Sequence, residues 1–276
     1  MLATDATGRL MTLSDNVAYC ADPIIPGSSA AVAAPSAKYI QTTFGVVTDG
    51  VYWINLPTVG ATQVYCIMDP AVAGGGWMLA MKGTRGNVFK YASTHWTTAS
   101  TLNASAPSRS DADAKYDVFN HFPATDWLAT FPDTVVSSTD APSLSYFAWL
   151  ENNAVGSTST VRAFMASNTP ITKLSTGRYG TTTTPTPMNS SKYDGRVWSS
   201  QTTSQWYGFN RPAPNAGWPS DTRWGFTFNN EASDDTPDAF GGIGEKSSSA
   251  CDTLNGSYGQ TNQGLNRTMR FEWFVR

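Results

Sequence analysis

Between Asn229 and Asp252 the chain reads NNEASDDTPDAFGGIGEKSSSACD. Asn229, Asn230, Glu231, Asp234, Asp235, Asp238, Glu245 and Asp252 all fall inside this stretch. Charged residues make up only 14% of the protein, so the crowding is local. Each of these side chains offers a hard oxygen. Calcium takes about six to eight such ligands from carboxylates, amides and backbone carbonyls, and tolerates irregular geometry. The spacing is not that of an EF-hand, so the reading rests on density and oxygen type. Gly241, Gly242 and Gly244 thread the stretch. A bound Ca²⁺ is the chemistry expected here; a solvated acidic loop is the alternative.

Other chemistries lack their parts. A nucleophilic triad needs a histidine, and His95 and His121 stand in no recognisable motif. Scattered Cys and His do not make a zinc site. A glycosidase needs two carboxylates facing across a cleft, for which Asp117, Asp126, Asp133 and Glu151 are the available residues. No phosphate-binding loop, dinucleotide fingerprint or nucleophile elbow is present. The chain is read as non-enzymatic.

Composition narrows the class further. The chain has 276 residues and is 40% hydrophobic, enough for a large globular core. Ser, Thr, Asn, Ala and Gly replace the missing charge, which points to short strands and long polar loops. Ten Trp and eleven Tyr enrich it in side chains that stack on sugars or anchor interfaces. A net charge of −3 with no basic stripe argues against nucleic acid. No apolar run is long enough to span a membrane. The N-terminus MLATDATGRLMTLSDN lacks the pattern of a secretion signal, and Met1 favours a chain made without one. Cys20, Cys66 and Cys251 are too few for a disulfide scaffold. They read either as a Cys20–Cys66 bridge with Cys251 free, or as three buried thiols.

The elements that must position the oxygen-rich stretch are β-strands. In Asp49–Gly83, Asp49-Gly50 signals a turn, and Val51, Trp53 and Asn55 alternate with Tyr52, Ile54 and Leu56. Pro57 to Gly60 turns the chain, and Gln63 to Met68 forms a second strand. Gly74-Gly75-Gly76 before Trp77 calls for positive φ or close backbone approach. Met78 to Met81 continues as an apolar run. Gly8 to Leu13 reads as one strand, and Tyr116 to Leu128 as a helix or loop. Val161 to Met165 and Arg223 to Phe228 read as strands, and Thr176 to Ser190 as an exposed loop. Thr268 to Arg276 reads as a closing strand, with Met269, Phe271, Trp273 and Val275 on one face. Residues 1–43, with an Ala/Pro/Ser-rich run from Ala21 to Ala37, read as an N-terminal arm, and 44–276 as the globular domain.

Three motifs in order carry a resemblance: Asp49-Gly50-Val51-Tyr52-Trp53-Ile54, Gln63-Val64-Tyr65-Cys66-Ile67-Met68 and Gly74-Gly75-Gly76-Trp77-Met78-Leu79. Together they resemble the opening of the fibrinogen C-terminal-like domain. Phe228-Asn229-Asn230-Glu231, Gly241-Gly242-Ile243-Gly244, Glu245, Cys251-Asp252, Tyr258 and Phe271 to Arg276 look like the intelectin branch of that family. Lys115-Tyr116-Asp117-Val118 and Asp126-Trp127-Leu128 look like its middle section, whereas 130–220 match poorly. The resemblance implies an α+β, β-rich fold with short twisted sheets, few helices and long loops behind the N-terminal arm. It implies Ca²⁺ held by Asn229, Asn230, Glu231, Glu245 and Asp252, a sugar diol on one ion, and Tyr258 as an aromatic wall. The chain lacks the family's His-containing segment before the Gly-rich turn, where Asp234, Asp235 and Asp238 stand instead. The function expected is Ca²⁺-dependent recognition of a cell-surface or environmental glycan by a homo-oligomer. Its place would be a virion surface, as a bacteriophage capsid decoration or fibre, joined to other virion proteins through the arm. A purely structural decoration protein and a secreted lectin are the alternatives.

Overall fold

The computed structural model describes residues 2–4, 10–14, 17–20, 25–133, 147–153, 159–172, 178–181, 185–187, 204–211, 220–229, 239–247, 258–262, 267–268 and 270–276. It is β-rich, with a few short helices and two large antiparallel sheets. Strands β1 (Leu2–Thr4), β2 (Leu10–Ser14) and β3 (Val17–Cys20) form a small antiparallel sheet of their own.

Composition alone reads Ala21 to Ala37 as an extended arm, but its last part joins the domain. Ala34 donates to the Trp53 carbonyl at 2.9 Å and accepts from Asn55 N at 2.7 Å. Helix α1 (Ala37–Phe44) begins where the Ser36 hydroxyl accepts from Tyr39 N, and ends at Gly45 with φ 66°. Its Ala37 and Ile40 are fully buried. Small Ala side chains, which read as linker, are here what lets α1 sit close to the sheet.

The Asp49–Gly83 stretch folds as its alternation requires. Strands β4 (Gly50–Leu56) and β5 (Gly60–Ile67) make a hairpin with Val51 opposite Tyr65 and Leu56 opposite Gly60. Ile54 and Leu56 face the core, while Val51 and Asn55 are exposed. Strand β6 (Trp77–Gly83) is buried along its whole length. Next come β7 (Ala114–Lys115), α2 (Asp117–His121), β8 (Trp127–Phe131), β9 (Phe147–Glu151), α3 (Val161–Ser167) and β10 (Ile171–Thr172). Strands β11 (Arg178–Thr181), β12 (Pro185–Pro187), β13 (Ser204–Arg211), β14 (Ser220–Asn229), β15 (Ala239–Ser247), β16 (Tyr258–Asn262), β17 (Arg267–Thr268) and β18 (Phe271–Val275) complete the fold. The larger sheet runs β12-β11-β9-β8-β18-β6-β5-β4, with β7 on β6, and the other runs β10-β13-β14-β15-β16-β17.

Two segments differ from expectation. Val161 to Met165 is helical, not a strand. The Thr160 hydroxyl caps it by accepting from Ala163 N, and Val161, Phe164 and Met165 are buried at helical spacing. Thr176 to Ser190, expected as a loop, carries β11 and β12. The prolines of β12 are tolerated because that strand lies at the sheet edge, where no ladder donor is needed.

The sheets meet through an aromatic layer. Trp127 of β8, Trp149 of β9 and Trp273 of β18 face Tyr207 and Phe209 of β13 and Trp224 of β14. Trp224 and Trp273 lie 4.9 Å apart, Trp127 and Phe209 4.9 Å, and Trp149 and Trp224 5.9 Å. Tilted and edge-on pairs of this kind add about 0.5–1.5 kcal/mol each beyond area burial. A second cluster on the opposite face of the larger sheet contains Ile67, Trp77, Leu79, Tyr116, Leu128 and Phe274. The sheet is thus covered on both sides at its centre. Cys66 is a free, buried thiol whose pKa is pushed up by burial, so a Cys20–Cys66 bridge is excluded.

The triple glycine locks the C-terminus. Gly74, Gly75 and Gly76 have φ of 86°, 63° and 75°. Their loop turns carbonyls inward, and Arg276 Nη1 donates to Ala73 O and Gly75 O at 3.0 Å each. The same guanidinium lies 4.1 Å over Trp77 and bonds Asp126 at 3.0 Å. A Cβ on Gly75 would stand 2.0 Å from Gln41 Nε2 and 2.6 Å from the Met68 carbonyl. Gly75→Ala is expected to destabilise the fold by about 2–4 kcal/mol in urea unfolding, from overpacking plus left-handed strain.

Lys115 is fully buried, and its ammonium donates to Thr98 O at 2.6 Å and sits 4.9 Å from the Phe119 ring centroid. Burial lowers its pKa from 10.5 to about 8. Between those values the unfolded chain holds more protons, so this residue makes stability rise with pH across that window. The difference in melting temperature between Lys115→Met and the parent should therefore shift in the parent's favour from about pH 8 to about 10.5. A pH-independent difference would contradict this.

Candidate functional site

Strand pairing divides the oxygen-rich stretch. The part expected to be a Gly-rich turn is strand β15, which runs antiparallel to β14. Its glycines serve packing. A Cβ on Gly242 would lie 2.1 Å from Thr222 Oγ1, and one on Gly244 would lie 2.7 Å from Trp96 Cζ2. Gly244 also adopts φ 69°. These glycines let the backbone of β15 press against β14 and the Trp96 ring.

Register then places the expected ligands. Glu245 pairs with Thr222, whereas Asn229 lies seven residues further along β14, beyond the Phe228–Ala239 pair. At the rise of a β-strand this is roughly 23 Å, too far for one ion. Asn229 and Glu245 therefore do not share a site. Tyr258 lies on β16 opposite Ile243, two positions from the level of Glu245. Asn230, Glu231, Asp234, Asp235, Asp238 and Asp252 lie outside the described residues.

The Glu245 end of the sheet is built from buried polar groups. Glu245 is fully buried, and neither carboxylate oxygen has a hydrogen-bond partner among the described residues. Burial alone raises its pKa well above the ordinary carboxylate value. Its carbonyl accepts from Tyr91 N at 3.3 Å. Beside it, Arg223 is only 5% exposed. Its guanidinium donates to Tyr91 O at 3.0 Å, Asn168 Oδ1 at 2.7 Å and Asn210 Oδ1 at 3.0 Å, and lies 4.2 Å over the Tyr91 ring. These partners are all neutral, and burial lowers its pKa. Asp221, opposite Lys246, lies 4.0 Å from its amine.

Glu245 differs from the buried Glu272. Glu272 accepts from Arg109 at 2.9 and 2.7 Å, Thr130 at 2.9 Å and Arg270 at 2.9 Å. Glu151 lies beside Tyr207, whose hydroxyl accepts from Trp224 Nε1 at 2.7 Å. An unpaired buried carboxylate costs several kcal/mol unless it is protonated or meets a cation. Burial pushes Glu245 towards the protonated acid, which carries no charge to pair. Among the described residues no group of three or more His, Cys, Asp or Glu is placed to hold a metal ion.

The carboxylates open to an acid–base reading are otherwise engaged. Asp126 pairs with Arg276 and Asp133 with Arg85, and Asp117 lies 4.0 Å from His121 on the same helix. Arg223 and Tyr91 belong to the site and were not anticipated. The signal was Arg223 at the head of a run of uncharged residues from Trp224 to Asn230.

The sequence matches no protein-family model and no curated protein.

Without a cation the Glu245 carboxylate is a liability, and the sign of its removal follows. In chelator at neutral pH, Glu245→Gln should melt higher than the parent by scanning calorimetry. The gap should close as pH falls towards the ordinary carboxylate range, because a raised carboxyl pKa makes stability drop as pH rises.

Proposed function

We propose that this protein is a non-enzymatic, Ca²⁺-dependent glycan-recognition domain of the fibrinogen C-terminal-like, intelectin-like type. The observation that carries the reading is Glu245, a buried carboxyl whose oxygens have no hydrogen-bond partner among the described residues, whereas Glu272 receives four. It is also the residue that the motif resemblance matches to a calcium ligand. The Gly-Gly-Gly-Trp turn and the Asp49–Gly83 strands support the same family. When bound, the ion would supply a hard Lewis-acidic centre able to grip sugar hydroxyls. Glu245 would hold it, with Asp252 next in the motif, and Tyr258 on the neighbouring strand would offer an aromatic wall.

Single-site binding of this kind is weak, and display in many copies adds about 10²–10⁴ in avidity. A virion surface provides such display. Residues 1–43 would contain the attachment to other virion proteins, and the protein would work as a homo-oligomer.

One observation favours a second reading, a decoration protein with a structural ion and no sugar. The register removes Asn229 from the neighbourhood of Glu245, which leaves that ion fewer ligands. Two measurements separate the readings. Ca²⁺ should release or absorb heat in titration calorimetry and raise the melting temperature, and Glu245→Ala should abolish both. A glycan array should then show binding that a chelator removes. Heat with a blank array leaves the structural reading, and no heat rejects the metal.

A further inference from the structure

The hairpin of β4 and β5 has two faces. Ile54 and Leu56 of β4 and Val64 and Cys66 of β5 enter the core. The opposite face carries Val51, Trp53 and Asn55 on β4, and the register sets them across from Tyr65, Gln63 and Ala61 on β5. Tyr65 leans on the cluster that covers the centre of the sheet, and Arg109 lies beside it, bound to Glu272. The rest of the face is open: Val51, Asn55, Ala61 and Gln63 are exposed.

Trp53 departs from the other tryptophans whose burial is described. Trp77, Trp96, Trp127, Trp149, Trp224 and Trp273 are fully buried. Trp53 is partly exposed, and it neither belongs to a hydrophobic cluster nor packs against one. Its backbone is nevertheless held on both edges. One edge of β4 pairs with β5. On the other, Trp53 N donates to Gly27 O at 2.8 Å, Ala34 N donates to Trp53 O at 2.9 Å and Asn55 N donates to Ala34 O at 2.7 Å. These bonds close the edge at Trp53 and Asn55 to a peptide that would add as a further strand. They also set the position of the ring before any ligand arrives.

The chemistry and size of the face select its occupant. None of its six side chains is charged. Two rings offer flat apolar surface, and two carboxamides offer donors and acceptors together. From residue 51 to 55 a two-stranded face measures about 15 Å by about 10 Å. That is about 150 Å², far below the roughly 800 Å² per partner of a stable protein interface. A neutral sugar chain matches it, with the C–H faces of pyranose rings on Trp53 and Tyr65 and hydroxyls on Asn55 and Gln63.

We propose that the outward face of the β4–β5 hairpin, centred on Trp53, binds a neutral oligosaccharide without a cation. The site is separate from Glu245 and does not rest on the reading of that residue.

The test follows the Trp53 indole N–H in proton–nitrogen correlation spectra of the full chain, where the signal missing from Trp53→Phe identifies it. In chelator, that signal should shift on titration with at least one of cellotetraose, maltotetraose, chitotetraose and mannotetraose. By titration calorimetry Trp53→Ala should bind the same sugar at least about 10-fold more weakly, as for a central aromatic anchor. Gln63→Ala should bind it about 3- to 10-fold more weakly, the worth of a hydrogen bond. Should Trp53→Ala fail to fold, Gln63→Ala carries the same readout. No shift with any of the four sugars overturns the inference. A shift that chelator removes also overturns it, and assigns the sugar to a cation site. A Trp53 signal that moves with protein concentration alone, together with a dimer in sedimentation that Trp53→Ala abolishes, gives the face to a second copy instead.

Discussion

Strand β18 lies between β6 and β8, so Glu272 to Val275 are paired on both edges, and side chains of the strand are buried on both faces. Phe271, Trp273 and Val275 enter the layer between the sheets, and Phe274 enters the opposite cluster. Glu272 also points into protein, where two arginines and a threonine satisfy it. The last strand of the chain is thus the centre of the larger sheet. Neither half of that sheet can close before the final residues arrive. Arg276 then ties this strand to the triple-glycine turn some two hundred residues earlier, through Ala73 and Gly75. The turn must be glycine because its carbonyls face a guanidinium while its Cα positions touch α1 and the Met68 carbonyl. Closure of the sheet, the seat of α1 and the strained turn are one constraint.

Much of this was legible because it is local. Alternation in Gly50–Leu56, the turn at Pro57–Gly60 and the closing strand follow from side-chain period and turn residues. The positive φ of Gly74 to Gly76 follows from glycine before a large ring. Val161 to Met165 misled because a short apolar run fits either period, and the deciding signal was the Thr160 cap. The Ala-rich run before Ala37 left open whether the arm lies on the domain, and Ala34 bonds to Trp53 and Asn55 of β4. The engagement of Arg276 with Asp126 and Gly75 could not be read, since no local pattern joins residues so far apart.

The oxygen-rich stretch shows the limit more sharply. Density in sequence is density in space only when the chain does not extend. Gly241, Gly242 and Gly244 were read as a turn, and a turn would have gathered Asn229 and Glu245. As a strand they hold the two apart by the length of the β14–β15 ladder. The same glycines admit Thr222 and Trp96 against the backbone. A residue chosen for space and a residue chosen for curvature look identical in sequence.

That packing is also why Glu245 matters. With Gly244 pressed on Trp96 and the Glu245 carbonyl fixed to Tyr91, the end of β15 has little freedom to turn its carboxylate outward. Arg223, the nearest buried cation along the neighbouring strand, spends its donors on Tyr91, Asn168 and Asn210. A fold that saturates Glu272 has the means to neutralise a buried acid and does not apply them here. Among the described residues the Glu245 oxygens have no hydrogen-bond partner, at a point where the backbone is held by Tyr91 and Trp96. For the proposed ion, a carboxylate already held in place would be met without the cost of arranging it on binding.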